Sequence, residues 1–230
     1  MTKILKFATK EKYLVGLKPI RNYVPEWYKK TDRFFGKRQI LGSNGEGAKT
    51  LKMCVPFLDT LTTGYTVELW QDVQVKIDSS NEPVMFWAGE PDAAERRPIN
   101  SIGDMPIPNG YSPEPFAWKF PFAIKTPKGY SVLMSHPLNR YDLPFLTLSG
   151  IVDSDTLLNS GNLPFFIKEG FEGIIPKGTP IVQIFPYKRD DWKSEEDQDL
   201  LEEENKQKIL NLRVAFGHYK NTAWNKKTYN

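Results

Sequence analysis

The chain has very little of what most catalytic centres are built from. Its single cysteine, Cys54, allows no internal disulfide and no cysteine metal cluster. Its two histidines, His136 and His218, stand far apart, without the His-x-Asp or His-x-x-x-His spacing of zinc and iron sites. No Walker loop, nucleophile elbow or dinucleotide fingerprint occurs. No apolar run approaches the roughly 18 residues of a membrane span, and the opening Met1–Lys6 has no apolar stretch of the kind a secretory leader carries. Charge excess is also missing. With 31 basic and 28 acidic residues the net charge is +3, so nucleic acid is not an expected partner. These absences point to a chain in a reducing, cytoplasmic setting, with no membrane partner.

What the chain does have is core material and turns. Of its 230 residues 40% are hydrophobic and 13% aromatic, enough for one large domain or two small ones. Eighteen prolines favour short strands over long helices. The expected fold is mainly β: a β-clip-like barrel or sandwich over 65–188, with an N-terminal helical and extended segment over 1–64 and a charged helix and tail over 189–230.

Along the chain, Leu14 to Ile20 reads as an edge strand and Val24 to Lys30 as a helical turn with Trp27 as a core anchor. Residues 36–49 read as a loop. Thr50 to Thr63 has helical spacing interrupted at Pro56, and Cys54 within it reads as a buried thiol. Tyr65 to Ile77 alternates, with Val67, Leu69, Val73, Val75 and Ile77 on one parity, and Val84 to Ala88 reads as its return strand. Residues 89–115, rich in Pro and Gly, read as a long loop of the kind that often carries function. Phe116 to Ile124 and Tyr130 to Ser135 read as strands. Ser194 reads as the cap of a helix with an acidic start and a basic end. Its apolar positions, Leu200, Leu201, Ile209, Leu210 and Leu212, form one narrow stripe.

The most informative stretch is Gly129 to Lys188. Ser149-Gly150-Ile151-Val152-Asp153-Ser154-Asp155 resembles the Gly-Val-Ile-Asp-Ser-Asp motif of the dUTPase and dCTP deaminase superfamily. Further on, Gly178-Thr179-Pro180-Ile181-Val182-Gln183-Ile184 resembles its Gly-x-x-Ile-x-Gln-Leu motif, and the Asp153-to-Gln183 interval of 30 positions is close to the family's spacing. Ile124 to Leu133 resembles its turn-and-strand entry. The likeness covers about a quarter of the chain, and the whole chain also resembles uncharacterised proteins of tailed marine phages. The resemblance implies a homo-oligomer, a trimer in the family, with sites between subunits.

It also implies a site. Asp153 is the candidate catalytic carboxylate, orienting water; His136, Asn139, Arg140, Asp155 and Gln183 are the candidate ligand-binding residues. The ligand would be a nucleotide or related phosphorylated small molecule, and Mg²⁺ is the one cofactor the reading admits. Five of the six have a structural alternative: Asp153 and Asp155 as turn-capping carboxylates, His136 as a satisfied structural histidine, Gln183 as a brace on backbone groups, and Arg140 as other than an anion clamp. The chain departs from the family where phosphate and base are held. Thr156 stands in place of the stacking Tyr, Ser135 to Arg140 lacks the helix-opening Arg-Ser pattern, and no Gly-rich C-terminal arm follows. Two functions of different class therefore stand side by side: a nucleotide-binding protein without full dUTPase chemistry, or a non-enzymatic virion or host-interaction protein on the same fold.

Overall fold

In the computed structural model, which describes residues 3–9, 11, 14, 16–35, 49–158, 161–213 and 218–230, the chain is mainly β. Its strands are β1 Lys6–Thr9, β2 Lys18–Pro19, β3 Tyr65–Glu68, β4 Val73–Ile77, β5 Pro83–Phe86, β6 Ala94–Arg96 and β7 Tyr111–Trp118. They continue with β8 Phe122–Lys125, β9 Tyr130–Ser135, β10 Phe145–Thr147, β11 Gly150–Val152, β12 Leu163–Lys168, β13 Gly173–Ile175 and β14 Pro180–Lys188. The helices are α1 Glu26–Lys30, α2 Val55–Thr62, α3 Asp199–Arg213 and α4 His218–Thr222. Two compact units emerge. A β unit comprises 1–23, 63–189 and 229–230; a helical unit comprises 24–62 and 190–228.

All strand pairs of the β unit are antiparallel. They form a five-stranded sheet β11-β9-β14-β3-β2, a four-stranded sheet β10-β12-β7-β6, a three-stranded sheet β13-β4-β5 and the pair β1-β8. The core is aromatic on the four-stranded side. Trp118 stacks on Phe165 with ring centroids 3.8 Å apart, and Phe145 meets Trp118 edge-on at 5.1 Å. Val67, Val132, Met134, Ile181 and Ile184 of the five-stranded sheet belong to the same buried cluster. The Trp118 indole N–H is satisfied by Thr147 Oγ1 at 3.1 Å, as a buried indole requires. Burying so many aromatic and branched side chains supplies the main force for folding, about 25 cal/mol for each Å² of apolar surface removed from water.

The hairpin β4–β5 follows the alternation of its sequence. Val73 and Val75 are buried while Gln74 and Lys76 face out. Its turn is held by Asp78 Oδ1, which accepts the N–H groups of Ser80 and Glu82 at 2.9 and 3.0 Å. The single strand expected over 65–77 is two strands in different sheets. Between them the Trp70 and Gln71 side chains each donate to the Pro91 carbonyl at 2.8 Å, and Asp72 Oδ1 accepts the Lys177 N–H at 2.7 Å. Val67, Leu69, Val73 and Val75 are buried on both sides of the break, but Thr66, of the opposite parity, is buried as well, its hydroxyl donating to the Val182 carbonyl at 2.6 Å. Gly64, just before β3, has φ +91° and passes so close to the Ile184 carbonyl that a Cβ would lie 2.5 Å from its oxygen. Only glycine fits there.

Other expectations are corrected. The long loop over 89–115 contains β6, a 3-10 turn at Ile99–Ile102 and the first half of β7. The strand over Phe116 to Ile124 is broken after Trp118, where the Lys119 N–H turns to the Ala93 carbonyl and Pro121 has no N–H to continue the ladder. The edge strand over 14–20 shrinks to β2. The loop expected over 36–49 lies, except for Lys49, outside the described residues.

In the helical unit, Pro25 stands at the N-terminal boundary of α1 without a side-chain cap, and a Glu26–Lys29 pair at 2.7 Å spans the first turn. Trp27 is not the anchor. It is 38% exposed, while its neighbour Tyr28 is 3% exposed and stacks on Phe57 with centroids 5.9 Å apart. The helix over 50–63 becomes a 3-10 turn at Leu51–Met53 followed by α2. The restart puts Pro56 in the first turn of α2, where its missing N–H costs nothing. Cys54, between the two, is exposed rather than buried. α3 opens at Asp199, not near Ser194, with Asp197 Oδ1 accepting the Asp199 N–H at 3.0 Å. Leu200, Leu201 and Ile209 of its stripe are exposed. No helix among the described residues is long and apolar enough to cross a membrane.

Candidate functional site

The residues singled out in the sequence fall at the two ends of β9. This strand is flanked by β11 on one side and β14 on the other, with Val152 opposite Val132, Gln183 opposite Ser135 and Lys188 opposite Tyr130. The first end of β9 meets the aspartates and the last end meets Gln183 and His136. At about 3.3 Å per residue the two groups are separated by roughly 16 Å.

At the first end the turn after β11 carries Asp153 and Asp155. Arg189, just past β14, reaches across to both. Its Nη1 and Nη2 donate to Asp155 Oδ1 and Oδ2 at 3.0 and 2.5 Å, and Nη1 also donates to Asp153 Oδ1 at 3.2 Å. Asp155 Oδ2 accepts the Gly129 N–H at 2.8 Å as well. Ser131 Oγ donates to Asp153 Oδ1 at 2.6 Å and accepts from Arg189 Nη1 at 2.9 Å. Beneath them the Thr126 and Ser154 hydroxyls lie 3.0 Å apart, and the Arg189 N–H bonds the Gly129 carbonyl at 2.9 Å. The segment Pro186 to Arg189 thus folds against the turn that holds the aspartates. The two carboxylates differ. The Asp155 side chain is 4% exposed and that of Asp153 is 61%. The Arg189 guanidinium, helped by the Gly129 N–H, holds the Asp155 carboxyl down at about 2. Asp153 also organises its own turn, its carbonyl accepting the N–H groups of Thr156 and Leu157 at 3.0 and 2.9 Å.

At the other end everything is neutral or paired. Gln183 is fully buried; its Oε1 accepts the Leu138 N–H at 2.8 Å and its Nε2 donates to the Thr63 carbonyl at 2.7 Å. It braces the 136–140 loop and the turn at Gly64. The His136 Nε2 lies 3.1 Å from the Arg140 carbonyl, which can only accept, and Nδ1 lies 3.3 Å from the Thr147 N–H, which can only donate. That pairing assigns the neutral Nε2–H tautomer, and burial pushes the pKa of His136 down. Arg140 forms a forked pair with Asp142 at 2.9 Å and donates from Nη1 to the Tyr23 carbonyl at 3.0 Å. Asn139, at φ +59°, sits in the left-handed region that asparagine tolerates.

The sequence reading did not identify Ser131 and Arg189. Arg189 lies 34 positions from Asp155, and its only local signal is a cation directly after a strand that neighbours the aspartate turn. The first end does not fit Mg²⁺. That ion needs an octahedral set of oxygen ligands, whereas both Asp155 oxygens and one Asp153 oxygen already face N–H donors, most of them cationic. Among the described residues no group of three or more His, Cys, Asp or Glu side chains could hold a metal ion. No protein-family model and no curated protein matches the chain.

Proposed function

We propose that the β unit is a β-clip-like scaffold that works by binding and assembly rather than by turnover, as a virion component or host-interaction protein of the tailed-phage kind, and that it forms a homo-oligomer, a trimer by the same likeness. The observation that carries this reading is the Asp155–Arg189 clamp. An arginine beside a catalytic aspartate would serve phosphate chemistry by meeting the phosphate. Here the guanidinium is held by two carboxylates and a serine of the chain itself. Arg140 is likewise held by Asp142, and neutral His136 has both ring nitrogens engaged.

One observation favours a second reading, in which a nucleotide or related phosphorylated small molecule docks at the aspartate turn. The Asp153 carboxylate is largely exposed beside a guanidinium, so it can meet a sugar hydroxyl from solvent. Thermal-shift titration with deoxynucleotides, with and without Mg²⁺, decides between them, because a specific ligand raises apparent stability by mass action. The scaffold reading expects no shift that depends on Asp153. A shift lost in Asp153→Asn would establish the second reading in its place.

A further inference from the structure

The helical unit contains a pocket of about 500 Å³ whose charged lining, among the described residues, is of one sign. Arg33, Lys49, Lys52 and Lys220 bring four cations to it, and among the described residues no carboxylate lines it. Met53, Val55 and Leu58 supply an apolar wall, completed by the rings of Tyr28 and Trp224. The volume lies in the range of small-molecule sites, about 300–1,000 Å³.

Two features indicate that the pocket is preorganised. The Trp224 indole is fixed because its Nε1 donates to both oxygens of Asp59, at 3.1 and 3.0 Å. Asp59 is itself balanced by Lys227 Nζ at 2.6 Å, so the acid next to the pocket does not neutralise the lining cations. The Lys52 ammonium is fixed as well. It donates to the Tyr28 and Lys29 carbonyls at 2.7 and 3.2 Å and lies 4.4 Å from the Tyr28 ring centroid. An ammonium has three donors, so one remains for a ligand. Arg33 and Lys220 have no side-chain hydrogen bond or ion pair among the described residues.

We propose that this pocket binds an organic phosphate with a flat ring, of the size of a nucleoside di- or triphosphate. Four like charges converging on one concavity repel each other, and a polyanion relieves that repulsion. The Arg33 fork matches a phosphate in two-point fashion, while the three lysines act as point charges. A bare polyphosphate would leave the apolar wall wet; a ring laid against Trp224 covers it. A nucleic-acid strand is the poorer fit, because one pocket holds one nucleotide and the whole chain carries only +3. The proposal is independent of the reading given for the β unit.

Calorimetric titration of the full chain with ATP, adenosine, inorganic triphosphate and a ten-residue oligothymidylate tests it. The expected result is that ATP binds, that adenosine and triphosphate each bind at least about tenfold more weakly, and that ATP affinity falls as salt rises. Arg33→Ala/Lys220→Ala, which removes no side-chain hydrogen bond or ion pair among the described residues, should weaken ATP by about tenfold or more with the melting temperature unchanged. Asp153→Asn should leave ATP affinity as it was, which separates this site from the aspartate turn. Absence of ATP binding at about 1 mM, tighter binding of the oligonucleotide than of ATP, or an undiminished affinity in the double variant would overturn the proposal.

Discussion

The arginines of the β unit and the cations of the helical pocket answer to different demands. Arg140 and Arg189 each lie against carboxylates of their own chain, Asp142 for one and Asp153 with Asp155 for the other. Arg33 and Lys220 lie among other cations. A charge paired at short range with two or three internal acceptors stabilises a turn; a charge gathered with others of its sign contributes nothing to the fold and is suited to a partner from outside. Motif likeness drew attention to Arg140 and to the aspartates that hold Arg189, whereas the surroundings of the side chains draw it to the second group.

The largest expected effect lies where the β unit has buried its polarity. Gln183→Leu keeps the volume but leaves the Leu138 N–H and the Thr63 carbonyl without partners, which should cost about 2–4 kcal/mol in denaturant unfolding. A loss below about 1 kcal/mol would mean that Gln183 is not a brace. Next come the aspartates. Asp155→Asn should lower the melting temperature clearly, and Asp153→Asn, exposed and less engaged, much less. The pH dependence has a defined sign. The folded Asp155 carboxyl titrates at about 2 against an ordinary 3.8, so its stabilisation is complete above the ordinary value and is lost as pH falls from about 4 to about 2. Acid titration of unfolding should show that loss in the parent and a flatter curve in Asp155→Asn. His136 should act in the same direction but in a higher window. Burial holds it neutral in the folded chain, so stability should fall as pH drops below about 6.5, and His136→Gln should remove that slope. The smallest effect is expected in the helical unit, where Lys220→Ala should change stability by no more than about 0.5 kcal/mol. A larger loss would erase the contrast between the two regions.

Local pattern was enough for some of this and not for the rest. The β4–β5 hairpin was legible because Val73 and Val75 alternate with polar residues and a Ser-Asn-Glu-Pro turn follows. The break between β3 and β4 was not, because it depends on Trp70 and Gln71 reaching the Pro91 carbonyl, about twenty positions on. β7 was hidden by Pro113 and Pro115, which read as loop; within the fold Pro115 lies opposite Phe166 and its carbonyl accepts the Arg97 N–H. Trp27 and Tyr28 are adjacent and both aromatic, and both meet Phe57, Tyr28 stacked on it and Trp27 edge-on; which of the two is buried is decided by tertiary packing that the local sequence does not show. For the site, the sequence singled out the aspartates and Gln183 but placed them in one cluster with His136 and Arg140. The length of β9 separates the aspartates from Gln183, His136 and Arg140. The helical pocket was illegible throughout, since Asp59 and Trp224 meet across 165 positions.

The central claim is that the polar residues of the β unit serve its fold rather than a reaction. The most direct measurement is turnover of dUTP and dCTP by the parent chain, followed as release of pyrophosphate and of ammonia, with and without Mg²⁺, beside Asp153→Asn. The account predicts no release above the buffer rate in any of these arms. Release by the parent that disappears in Asp153→Asn would contradict it.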